Sequence, residues 1–162
     1  MMHSDLRTLL YDSEIAYLQG QQIYLFKHRI DALKESLEVY ERLRDREIAI
    51  FQPIADELLK AFPMENPKLI ERALKHWLSI MRYCAMAMLL NNPEFLQHRL
   101  LEWLTDVVQA YQMEAIENHL YELLQASLKT VLSDQQFALI QPFLAQARTT
   151  LVSVKTPSKM MG

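Results

Sequence analysis

Apolar residues recur at helical spacing along almost the whole of this chain, and no segment alternates apolar with polar residues as a half-buried strand does. Helices are therefore the elements from which it has to be built. Glycine occurs only at Gly20 and Gly162, while Leu, Ala, Glu, Gln, Lys and Arg dominate, all residues that lose little on entering a helix. The 162 residues fit one domain and are enough to enclose a sizeable core. The expected fold class is all-α.

The pattern predicts a first helix over residues 4–18, ending near Gly20, where helix is locally weakened. From Gln21 a long helix runs to about Arg46, with Phe26, Ile30, Leu33, Leu37 and Tyr40 on a dry face and Lys27, Asp31, Lys34, Glu38 and Glu41 on a wet one. Pro53 has no amide hydrogen, which places a break near Gln52 and a short helix from there to Phe62. Asn66 caps the next helix, which reaches about Leu90 and buries Ile70, Ala73, Leu74, Trp77, Met81, Cys84, Ala85 and Met88. Further helices are expected over 93–111, 114–131 and 134–151, the last opened by a capping box of Ser133 and Gln136. Residues 1–152 thus read as one domain with a helical arm over 1–19, followed by an aperiodic tail over 153–162.

Several function classes drop out on composition. Seventeen basic and twenty acidic residues, interspersed, give a net charge of −3, which leaves no electrostatic footprint for nucleic acid. Cys84 is the single cysteine, so a disulfide framework is excluded and a reducing, cytoplasmic setting fits. No apolar run is long enough to span a bilayer, so membrane association is expected to be peripheral. The histidines His3, His28, His76, His98 and His119 show no metal-ligand spacing, and there is no phosphate loop, nucleophile elbow or CxxC. No metal site and no enzyme activity are expected.

Between Arg82 and Leu104 the chain reads RYCAMAMLLNNPEFLQHRLLEWL, in which Asn92 is a good N-cap, Pro93 suits the first helical position and Glu94 complements the helix start. Two helices meet there at a tight corner. The segment resembles the central pattern of the phycobiliproteins, RY-x-x-YA-x-x-AGD-x-x-x-L-x-x-R-x-L, on which Arg82, Tyr83, Ala87, Leu96, Arg99 and Leu101 fall without a gap. YDSEIAYL, with Asp12, Tyr17 and Leu18, is similar to the family's A-D-x-x-x-x-Y-L, and ADELLKAFP to its A-x-x-L-x-x-x-FP. The resemblance covers about residues 10 to 150 and implies a globin-like fold preceded by a helical arm.

It also implies where a pigment would sit. The family's bilin is attached through a cysteine nine residues before the arginine that Arg82 matches, with an arginine two residues on for a propionate and an aspartate after that for the pyrrole nitrogens. Those places hold Ala73, Lys75 and His76. Alanine cannot form the thioether, lysine lacks the bidentate fork of arginine, and histidine accepts one hydrogen where a carboxylate makes charge-assisted bonds. Cys84 lies three turns further along the helix and cannot replace the attachment point; it reads as a small buried apolar residue.

The interface positions are kept. In the family the aspartate and tyrosine matching Asp12 and Tyr17 meet the partner chain, whose arginine, matching Arg82, receives the aspartate. The expected function is that of a non-catalytic interaction protein: an assembly, docking or regulatory factor of the photosynthetic antenna or photosystem. It would form a homodimer or pair with a related subunit, contact phycobilisome or photosystem proteins, and lie in the cytoplasm or against the cytoplasmic face of the thylakoid. The alternative is a sensor or carrier that holds a bilin or haem noncovalently through Lys75 and His76.

Overall fold

The computed structural model describes residues 4–104 and 113–155, with side chains over 6–102 and 113–152. Among them are seven helices and no strand: α1 (Ser4–Ile15), α2 (Gly20–Asp45), α3 (Glu47–Ala61), α4 (Pro67–Leu90), α5 (Pro93–Leu104), α6 (Glu114–Val131) and α7 (Asp134–Lys155). Helix α4 is the central element, packed by α2, α3, α5, α6 and α7, and its stripe of Ile70, Ala73, Trp77, Ile80, Met81, Cys84, Ala85 and Met88 is buried. Leu58, Leu100, Leu124 and Leu144 close the core from α3, α5, α6 and α7. The buried stripe expected for α4 holds, with Leu74 only half-buried.

The connections are cut where capping residues allow. Asn66 accepts from the Lys68 amide at 3.0 Å, with Pro67 as the first helical residue. At the Asn-Asn-Pro corner Asn91 takes the left-handed conformation, φ 45° and ψ 48°, at the place where the phycobiliprotein pattern has glycine. The Asn91 amide donates to the Met88 carbonyl at 3.1 Å and the Asn92 amide to the Ala87 carbonyl at 2.9 Å, which ends α4 in a Schellman motif. Asn92 then opens α5 by accepting from the Phe95 amide at 3.0 Å. Two consecutive asparagines thus terminate one helix and start the next. The Ser133 and Gln136 box forms as expected, with reciprocal bonds of 3.1 and 3.2 Å.

Four expectations are corrected. The first helix stops at Ile15 rather than residue 18, and Gly20 begins α2 instead of marking the end of α1. The chain breaks at Arg46, and Pro53 lies inside an unbroken α3. A proline in a helix interior leaves the carbonyl four residues back without its intrahelical donor; the Ser127 hydroxyl of α6 donates to the adjacent Ile50 carbonyl at 3.2 Å, a tertiary bond that a sequence pattern does not reveal. On α2 the dry face is displaced: Val39 and Leu43 are buried, whereas Ile30, Leu33 and Leu37 are exposed. Only the C-terminal part of α2 sinks into the core, and its earlier turns carry α1. Helix α7 runs to Lys155, into the stretch expected as tail; 156–162, and the part of the 93–111 helix beyond Leu104, lie outside the described residues.

Candidate functional site

The three positions that would serve a covalent bilin diverge around α4. Ala73 is fully buried, on the same face as Trp77 one turn later. Lys75 is exposed and pairs with Glu71 at 2.7 Å, one turn back along the same helix. That hydrogen bond, and then the charge of Lys75, hold the Glu71 carboxyl below its ordinary pKa. His76 is half-buried, and successive residues of a helix point about 100° apart, so Lys75 and His76 face different surroundings. The indole nitrogen of Trp77 is buried without a hydrogen-bond partner among the described residues, while its ring lies 5.5 Å from that of Tyr121. Arg148 sits 4.4 Å over Tyr121 and pairs with Glu122 at 2.9 Å; burial raises the Tyr121 pKa, and the charge of Arg148 opposes the rise.

Cys84 is buried as expected, and burial alone pushes its thiol far up from the ordinary value. A thiol held protonated is neither a nucleophile nor a ligand. Met81, Met88 and Trp77 belong to the core, as the α4 stripe predicts, whereas Met86 on the same helix is 36% exposed.

Among the described residues, cavities open between the helices, and three of them bear on the site. One of about 220 Å³ lies among α2, α3 and α4 and is lined by Tyr40, Leu43, Arg44, Glu47, Ile50, Phe51, Met81, Arg82 and Ala85. A second, of about 190 Å³, runs between α2, α7 and the C-terminal end of α4, and a third, of about 60 Å³, lies beside Trp77, Glu117 and Arg148. Ala73, Lys75 and His76 line none of these three. Each also falls below the roughly 300–1,000 Å³ of ordinary small-molecule pockets.

Arg82, at the rim of the first cavity, makes a two-pronged contact that the sequence did not signal. Its Nε donates to Glu47 Oε1 at 2.8 Å and its Nη2 to Glu47 Oε2 at 3.0 Å. Glu47 is the first residue of α3 and lies 35 residues away in the chain, so only the packing of α3 on α4 brings the two together. An acid in the first turn of a helix is the one local signal that marks Glu47, and it indicates a dipole partner rather than an arginine. The hydrogen bond to Glu47 raises the Arg82 pKa still further above its ordinary value.

The arm lies on the outside. Leu9 is its one buried residue among the described side chains, whereas Leu10, Tyr11, Ile15 (90% exposed) and Tyr17 (95% exposed) face outward. Among the described residues, the Asp12 carboxylate accepts a long 3.4 Å bond from Gln22, on the following helix. On α2, Ile23, Tyr24, Leu25, Ile30, Leu33 and Leu37 are exposed as well. Within one chain the structure does not bring Asp12 or Tyr17 to Arg82.

Seven helices, five of them packed on the central α4 and the first on α2 as an N-terminal arm, with no strand among the described residues, define an all-helical globin-like protein with an arm. The family model described as Phycobilisome protein matches residues 9–151, nearly the whole chain, and the protein belongs to that family. No curated protein and no solved structure matches it. The family is non-catalytic and associated with photosynthesis, and among the described residues no cluster of His, Cys, Asp and Glu could hold a metal ion. No described helix is long and apolar enough to cross a membrane.

Proposed function

We propose that this protein is an assembly, docking or regulatory factor of the photosynthetic antenna or photosystem that works by protein contact and carries no covalent bilin. It pairs with a second copy or with a related phycobiliprotein-like subunit, at the cytoplasmic face of the thylakoid. One observation carries the reading: many large apolar side chains of α1 and α2 stand exposed, while the pigment-attachment position is a buried alanine. Extensive exposed apolar surface marks an interaction site in a soluble protein. In the pairing the family resemblance implies, Asp12 and Tyr17 of one chain's arm meet Arg82 of the other.

Light scattering across concentration, for the full chain and for a variant lacking residues 1–19, tests this. The full chain is expected to dimerise, alone or with an antenna subunit, and the truncated one to stay monomeric or aggregate. A full chain that remains monomeric under all these conditions removes the reading. Co-expression with bilin biosynthesis and lyases should leave a denaturing gel dark under zinc-enhanced fluorescence; a fluorescent band would overturn the pigment-free part.

A second reading has one observation in its favour, the unpartnered indole N–H of Trp77 beside His76. A bilin or haem held noncovalently through Lys75 and His76 would offer oxygen acceptors to such a donor. A visible absorption band that appears on adding biliverdin or haem, and weakens in His76→Ala, would replace the first reading with this one.

A further inference from the structure

We propose that the cavity among α2, α3 and α4 is a ligand site for a small amphipathic anion, a carboxylate on a short apolar chain, whose head is held by Arg82. The proposal goes beyond the assembly reading and does not rest on it.

Separate observations select the two halves of this ligand. Leu43, Ile50, Phe51, Met81 and Ala85 are all buried and form a floor without a single side-chain nitrogen or oxygen. An alkyl chain that fills such a hollow leaves water and covers apolar surface at once. At about 220 Å³ the cavity is below the size of drug-like ligands, which leaves room for a chain of several carbons and not for a tetrapyrrole. Its polar groups are few and all stand toward the mouth. The side chains of Arg44 and Arg82 are 64% and 66% exposed, and Glu47 lies between them in the lining. An apolar hollow with a small number of placed polar groups is the usual make-up of a ligand site.

Of the two arginines, Arg82 has the free geometry. Arg44 turns its Nε to Asp45, its neighbour in sequence, at 2.7 Å. A guanidinium has five N–H donors in a planar fork, and Glu47 takes one hydrogen from Nε and one from Nη2 of Arg82. Three donors remain, two on Nη1 and one on Nη2, with no acceptor for them among the described residues. They include two N–H groups side by side at the end of the fork, which match the two oxygens of a carboxylate. Glu47 also limits the charge of the head. A dianion such as phosphate would meet more repulsion from that neighbouring carboxylate than a single negative charge does. With the guanidinium already held by Glu47, the ligand has less rotamer freedom to remove on binding.

Methyl NMR of the full chain, labelled at the methionine methyl groups, reads occupancy of the floor. Octanoate is expected to shift Met81 and to leave Met64, exposed in the connection between α3 and α4, where it is. Octanol has the chain without the charge and acetate the charge without the chain, so each should bind at least about tenfold more weakly. Arg82→Met, at an exposed position, should bring octanoate down to the affinity of octanol, and Arg82→Lys, which keeps the charge without the fork, should fall between. The titration is repeated on Asp12→Arg, in which the arm of one chain cannot bring Asp12 to the Arg82 of another. A Met81 resonance that stays unmoved up to millimolar octanoate in both chains overturns the site. Equal shifts at Met64 and Met81 mean non-specific association and overturn it as well. Octanol that binds as tightly as octanoate, or octanoate affinity unchanged in Arg82→Met, overturns the role of the arginine. Light scattering of the same samples reports dimerisation separately, so the failure of this proposal and the failure of the assembly reading are distinguishable.

Discussion

Replacing Cys84 by alanine should make the protein less stable at neutral pH and more stable at alkaline pH. The thiol is buried in the core, and burial raises its pKa far above that of the same thiol in an unfolded chain. The sign follows from linkage. Below the unfolded pKa, about 8.5, both states carry the proton and the thiol adds no pH dependence. Above it the unfolded chain releases a proton that the folded chain keeps, so stability falls as pH rises toward the folded value. With the folded thiol still protonated, the loss grows to about 2 kcal/mol at pH 10. Against this, truncating the buried sulfur costs about 1 kcal/mol at every pH. Tyr121 also has a raised pKa, chiefly from burial; it is present in both proteins, and because Cys84 is the smallest of the causes, most of its contribution cancels in the difference. Urea unfolding at intervals from pH 7 to pH 10 should therefore show wild type ahead by about 1 kcal/mol at the start and behind by a similar amount at the end. Parallel stability curves would refute the reasoning, because they would mean that the folded thiol ionises as readily as the unfolded one. A thiol-reactive dye should give the matching result, labelling Cys84 only as fast as the chain unfolds.

Ala73→Cys alone should not restore covalent pigment: the new thiol would be buried as the alanine is, with Lys75 turned to Glu71, and a zinc-fluorescent band in the single variant would show that lyases reach it. Asn92→Ala removes the side-chain acceptor at the start of α5 and should cost about 1 kcal/mol in urea unfolding, against little change for Asn92→Ser. The Glu71 carboxyl should titrate below an ordinary glutamate by NMR and return to the usual range in Lys75→Met. In the wild type this pair favours the folded chain above the unfolded pKa of Glu71, and the benefit disappears as pH falls through the folded one.

The sequence was most readable where structure is decided locally. Asn66, Asn92 and the Ser133–Gln136 box act within three residues of themselves, and each makes the bond that its position implies. The α4 stripe was equally clear, since a helix packed by five others must be apolar on a broad face. Pro53 misled because the packing of α3 on α4 and α6 keeps the helix continuous through it, a tertiary effect that the local sequence does not show. The apolar series of α2 misled for a different reason. Periodicity shows that a face is dry in its final environment, but it does not say how much of that face the same chain covers, and Ile30, Leu33 and Leu37 stay 36–46% exposed. At the site, Ala73, Lys75 and His76 could be named only by resemblance, and Glu47 could not be named at all, because its relation to Arg82 exists only once α3 lies on α4.

The arm ties these points together. A helix of 12 residues is marginal in water by itself, because nucleation is costly and each added bond returns little. Helix α1 has Leu9 as its only buried described side chain and packs chiefly on α2, whose own early turns are exposed. Burying one leucine is worth about 1.5–3 kcal/mol, while ordering each residue of a backbone costs about 1–2 kcal/mol. Among the described side chains, Leu9 and the half-buried Leu6 offset only part of that cost, whereas covering Leu10, Tyr11, Ile15 and Tyr17 with a partner would supply several further burials of the same size. Under the proposed pairing, folding of the arm and association are one process. The exposed apolar side chains of α1 and α2 then become half of a core whose other half the partner provides.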